Sequence, residues 1–146
     1  MKYIDLSKED RIDVLDRVST ELNIKQREVI EKDWWVTAVL RALFNLPYAQ
    51  HLSFKGGTSL SKCWHLINRF SEDIDLILNW DEFSTSTEWN PSTRYGKAGR
   101  EKMMKALDEW NARQVAEAVL PVVQERCGDI CSASLSQEAP EVIVIT

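Results

Sequence analysis

Cysteine, histidine and long apolar runs are scarce in this chain of 146 residues. The three cysteines, Cys63, Cys127 and Cys131, are too few for a disulfide framework and fit free thiols in a reducing cytoplasm. Cys127 and Cys131 lie four apart, but no further Cys or His lies close in sequence to complete a zinc set. The two histidines, His51 and His65, have no spaced partners, so no Ser/His/Asp or Cys/His arrangement can be built from them. No apolar run approaches the ~20 residues of a membrane span. The opening MKYIDLSKEDRIDVLDRV is charged throughout and lacks the apolar stretch of a signal peptide. Cations are in the minority, 18 Lys+Arg against 23 Asp+Glu for a net charge of −5. That balance excludes a generally basic nucleic-acid-coating protein and leaves room for a local basic site.

What is present is globular in character. Hydrophobic residues make up 44% and charged residues 28% of the chain, which separates it from disordered tails. The length suits one domain able to bury a core. Six tryptophans imply substantial aromatic burial or contact surface.

Periodicity organises the first third into helices. Ser7 caps a first helix whose apolar face is Ile12, Leu15, Val18 and Leu22, and Asn23 breaks it. A second helix is expected from about Lys25 to Phe44, ended by Asn45 and Pro47. Leu52-Ser53-Phe54-Lys55 alternates as a strand, and Gly56-Gly57 interrupts it. Thr58 to about Ile67 has helical character. Asp73 to Leu78 is the strongest strand pattern. Asp81 to Gly99 is polar, without periodicity, and reads as a mobile loop. A long helix is expected from about Arg100 to Arg126, kinked or divided at Pro121. Strand-like runs near Ile130–Leu135 and Glu141–Ile145 close the chain.

Two motifs carry chemistry. In a strand, residues i and i+2 share a face, so Asp73 and Asp75 are held side by side while Ile74, Leu76 and Leu78 point the other way. Such a pair either faces water or shares an oxygen-preferring cation, Mg²⁺ or Mn²⁺, that offsets the repulsion. The second motif is Gly56-Gly57-Thr58-Ser59. Two glycines after a strand allow a tight turn and close ligand approach, and the following helix start suits a phosphate. Thr58 and Ser59 add hydroxyls, and Lys62 adds charge one turn along. The alternative is a plain structural turn. The Walker A pattern is absent. Jointly, a glycine turn leading through one helix to a carboxylate pair places phosphates beside metal ions, as phosphoryl or nucleotidyl transfer requires.

FKGGTSLSKCWHLINRFSEDIDLIL resembles the signature of the AbiEii/AbiGii-like nucleotidyltransferase toxins of abortive-infection and type IV toxin–antitoxin systems, within the polymerase-beta-like fold. IEKDWWVTAVLRALF resembles the helix that precedes that signature, so the likeness spans roughly Ile24 to Leu78. The resemblance implies that Asp73 and Asp75 bind metal and are catalytic, and that Gly56, Gly57, Thr58 and Ser59 cradle an NTP triphosphate. It makes Lys62 and Arg69 phosphate or charge-neutralising partners, against solvated helix and loop charges as the alternative. Ser71 would orient the loop before the strand. Lys32 and Asp33 match the family's helix and suit either a salt bridge or the site. An RNA acceptor, particularly tRNA, and an antitoxin partner are implied as well.

The chain departs from that pattern in two respects, its third carboxylate and its length, which is short for the family. Enzymes of this fold use a third carboxylate on a later strand, and only Glu141 offers itself here. The expected architecture is α/β, in stricter terms α+β: a small mixed β-sheet packed by two N-terminal helices and one long later helix. Residues 1–146 would form a single nucleotidyltransferase-type domain, an N-terminal fragment or shortened form of a longer protein. The competing function is a catalytically incomplete nucleotide-binding or antitoxin-interaction module. Trp34, Trp35, Trp64 and Trp110 are expected in helix packing, and Trp80 and Trp89 as anchors of the polar loop or base-stacking surfaces. Arg94, Lys97, Arg100, Lys102 and Lys105 form a basic run, read as a solvated face or an RNA contact.

Overall fold

A computed structural model describes residues 3–46, 49–68, 70–90 and 92–146, the Trp80 side chain excepted. In chain order these form α1 (Lys8–Leu22), α2 (Arg27–Leu43), β1 (Leu52–Lys55), α3 (Gly56–Lys62), β2 (Asp75–Leu78), α4 (Trp80–Ser86), α5 (Lys97–Gln114), α6 (Leu120–Cys127), β3 (Ala133–Leu135) and β4 (Ile143–Ile145). Short 3₁₀ turns precede α1 and β1. The architecture is mixed α/β, as the periodicity predicts. Among the described residues its strands form two separate ladders, β1 with β2 and β3 with β4, in place of one sheet. None of the described helices is long and apolar enough to cross a membrane.

The chain divides into two compact units, Met1–Leu40 with Lys55–Asp75, and Arg41–Phe54 with Leu76–Thr146. In the first unit, Ser7 caps α1 by accepting from the Asp10 amide at 3.1 Å, and Asn23 closes it in the left-handed region at φ 55°. Most residues there would pay for that conformation, whereas Asn tolerates it. Arg27 at the start of α2 pairs with Asp16 of α1 at 2.6 Å. Tyr3 lies against Trp34 with ring centroids 4.6 Å apart, and Trp34 meets Trp35 edge-on at 4.9 Å. Leu15, Val36 and Val39 are the buried apolar residues of this unit, joined by the buried hydroxyls of Thr58 and Ser59.

In the second unit the segment expected to be a mobile loop contains α4. Asn79 caps it by accepting from the Asp81 amide at 3.2 Å. Phe83 is fully buried against Met103 and Trp110, with Leu78, Trp89 and Tyr95 packed around them. Seven residues are too few to display a helical period, which is why composition alone reads as loop. Trp89 anchors the remainder edge-on to Tyr95 at 5.5 Å, the packing role foreseen for it. The side chain of Trp80 lies outside the described residues.

The long later helix is realised as α5, a π-helical stretch at Val115–Val119, and α6. Pro121 lacks an N–H and its ring crowds the carbonyl four residues back, so the helix widens just ahead of it. The run of basic side chains from Arg94 to Lys105 is exposed, with Lys105 3.8 Å from Glu109 one turn on. β3 and β4 are antiparallel in the register Ala133↔Ile145, Ser134↔Val144, Leu135↔Ile143. Their ladder extends to Ser132 and Thr146, which exchange backbone hydrogen bonds at 2.8 and 2.9 Å.

Candidate active site

The candidate site lies in the first unit, where Lys55 leads into α3 and the chain returns through Ser71 to Asp75. Gly56 adopts φ +76°, a conformation that L side chains rarely take. A Cβ added there would run into the Asp75 carboxylate, coming within 2.9 Å of its Cγ. Glycine at 56 is thus required twice, by the backbone and by the carboxylate beside it.

Asp75 is the first residue of β2, whereas Asp73 precedes the ladder instead of lying in it, a shorter strand than the pattern suggested. Period-two alternation nevertheless runs through both. Asp73, Asp75 and Ile77 are exposed, and Ile74, Leu76 and Leu78 are half-buried. Among the described residues neither carboxylate has an ion-pair or side-chain hydrogen-bond partner. Two unpaired, exposed carboxylates are hard oxygen donors. They suit a divalent cation whose other ligands are water and phosphate, the usual arrangement for Mg²⁺.

Thr58 is buried at 1% exposure, and its hydroxyl donates to the Asp73 carbonyl at 2.5 Å, with the Ser71 carbonyl 3.3 Å away. That hydroxyl is spent on the backbone carrying the carboxylate pair, a different task from the phosphate contact expected of it. Ser59 is also buried. Lys62 turns towards α2, where its ammonium pairs with Asp33 at 2.8 Å and donates to the Thr37 hydroxyl at 3.1 Å. The structure brings it to the helix partner and not to the carboxylates. Lys32 pairs with Glu72, one residue before Asp73. Both members of the Lys32-Asp33 pair therefore act as salt-bridge partners, one of the two roles the sequence allowed. Glu72 is a residue that sequence reasoning missed, and its position between Ser71 and Asp73 was the available signal. Arg69 lies outside the described residues.

Two expectations fail. α3 ends at Lys62 instead of near Ile67, and left-handed His65 at φ 52° turns the chain out beyond it. Trp64, expected to pack on a helix, is consequently 67% exposed. Glu141 lies in an exposed turn of the second unit and not on a strand. Among the described residues no group of three His, Cys, Asp or Glu side chains is placed to hold a metal. A cleft of about 400 Å³ in the first unit, lined by Leu22, Ile30, Asp33, His65 and Phe70 among others, includes none of Gly56, Gly57, Thr58, Ser59, Asp73 and Asp75.

In the second unit Cys127 is buried and Cys131, four residues on, is half-buried. Burial first, and then this neighbour, push the Cys131 thiol up to about 12, so it stays protonated and unreactive at neutral pH.

Comparison with curated proteins and with solved structures found no match. A protein-family model described as nucleotidyl transferase AbiEii toxin, Type IV TA system, matches residues 38–132, more than half of the chain. The match takes in the glycine turn, both carboxylates and α4 to α6. The chain belongs to the AbiEii nucleotidyl transferase toxin family.

Proposed function

We propose that this protein transfers a nucleoside monophosphate from an NTP to an acceptor hydroxyl on RNA, tRNA in particular, and that it does so in the cytoplasm as the toxin of a toxin–antitoxin pair. The observation that carries the reading is the unpaired carboxylate pair, with Asp75 set against a glycine that has no room for a side chain. Asp73 and Asp75 would hold Mg²⁺ or Mn²⁺ together with phosphate oxygens. Bound there, the cation supplies neutralisation of phosphate charge and Lewis acidity towards the acceptor oxygen. The Gly56–Ser59 turn receives the triphosphate through its backbone, since the Thr58 hydroxyl is already engaged. In the transfer, the acceptor hydroxyl loses its proton to solvent and its oxygen bonds to the α-phosphorus as the bond to the departing pyrophosphate breaks. The carboxylates fix the charge that this arrangement needs in advance of the reaction.

The test is incubation with labelled NTPs, Mg²⁺ and total tRNA. Label should pass to RNA and fall about a hundredfold or more in Asp73→Ala and in Asp75→Ala. Transfer that survives both substitutions sinks the assignment. A second reading has one observation in its favour, the lack of a third carboxylate beside the pair among the described residues. It treats the chain as a nucleotide-binding or antitoxin-interaction module, and predicts Mg²⁺-dependent NTP binding by calorimetry without transfer.

A further inference from the structure

The two carboxylates are positioned by different means. Asp75 opens β2 and is fixed by strand pairing. Asp73 lies outside the ladder, so the sheet does not hold it. Three consecutive residues in front of β2 are instead tied to helices of the same unit. The Ser71 and Asp73 carbonyls face the Thr58 hydroxyl of α3, and the Glu72 carboxylate pairs with Lys32 of α2. Lys62 in turn binds α3 to α2 through Asp33 and Thr37. Of these ties only the Thr58 bond has a buried donor, with Thr58 at 1% exposure against 56% and 53% for the Lys32 and Glu72 side chains. A buried hydroxyl bond holds its geometry better than an exposed ion pair.

We propose that Thr58 is a positioning residue for the metal site: its hydroxyl, donated to the Asp73 carbonyl, sets the Asp73 carboxylate relative to Asp75, with the Lys32–Glu72 pair as a weaker second tie. This rests on the reading of Asp73 and Asp75 as cation ligands. Residues that orient a ligand from behind commonly change metal affinity about 10- to 100-fold when altered.

The experiment is a Mn²⁺ titration of the full chain, with free Mn²⁺ read by electron paramagnetic resonance. T58V, which keeps the volume and removes the hydroxyl, should weaken Mn²⁺ binding about tenfold or more. T58S restores the hydroxyl and should stay within about twofold of the unaltered chain, while E72Q should fall between them. T58V binding Mn²⁺ as well as the unaltered chain overturns the proposal, and so does T58S losing as much as T58V, because packing would then be the cause. Should T58V not fold by circular dichroism, E72Q and T58S carry the test, and wild-type affinity in E72Q with a tenfold loss in T58S overturns the proposal. D73A and D75A distinguish the two failures. If they abolish binding that T58V leaves intact, the positioning role alone falls. If neither affects Mn²⁺ binding, the carboxylate reading falls and the role of Thr58 with it.

Discussion

In the first unit polar ties stand beside the aromatic contacts of Tyr3, Trp34 and Trp35: Asp16 with Arg27, Asp33 with Lys62, Glu72 with Lys32, and the Thr58 hydroxyl on the Asp73 carbonyl. In the second unit the corresponding work is done by Phe83, Met103 and Trp110 and the apolar residues around them. Among its described residues, the Lys105–Glu109 pair is longer, at 3.8 Å, and the His51 ring lies 3.7 Å from the Glu82 carboxylate. Apolar burial is insensitive to direction, whereas hydrogen bonds and bidentate contacts fix orientation. The unit that carries the Asp73 and Asp75 carboxylates has these directional ties, and the other relies more on buried apolar area.

The comparison can be broken most forcefully at Phe83, which has no exposure. Phe83→Ala should cost about 3–5 kcal/mol by urea denaturation. Hydrogen exchange should lose protection first in peptides from α4 and α5. Equal loss across both units would show that they unfold together and that the contrast has no energetic meaning. Gly56→Ala should have the next largest effect. Its positive φ costs a Cβ-bearing residue about 1–2 kcal/mol, and the added methyl must also displace the Asp75 carboxylate. Thermal denaturation reads the first effect and Mn²⁺ affinity the second. A stable variant with unchanged Mn²⁺ affinity would show that Asp75 has room to move.

These two residues also mark what the sequence could and could not reveal. Gly56 was legible because a double glycine at a strand end has few other uses, and β1 was found with its observed bounds. The cap at Ser7 and the break at Asn23 were legible for the same reason, since each acts within a few residues. Phe83 was not legible. Its burial depends on Met103 and Trp110, some twenty residues away, and nothing local distinguishes it from an exposed aromatic in a polar stretch. The start of β2 at Asp75 depends on where pairing with β1 stops, which periodicity cannot give. The task of Thr58 was hidden likewise, because a hydroxyl after two glycines suits a phosphate and a backbone carbonyl equally well.

The smallest expected effect tests whether the polar ties of the first unit carry a pH signature that the apolar core lacks. The Tyr3 hydroxyl donates to the Glu31 carboxylate at 3.1 Å. Burial, followed by the charge and hydrogen bond of Glu31, raises it from 10.0 to about 12. A folded-state value above the unfolded one means that the neutral hydroxyl is the form the fold favours. Its contribution is fully present below about pH 10 and is lost as pH rises towards 12. Tyr3→Phe keeps the ring against Trp34 and removes the bond, so it should cost about 0.5–1.5 kcal/mol at pH 8. The difference in urea midpoint between the two proteins should then shrink between pH 10 and 12. Every other titrating group is common to both proteins, so the difference isolates Tyr3. A gap that stays constant to pH 11.5 would mean that the hydroxyl does not stabilise the unit through Glu31, and the contrast would have to rest on the other polar ties.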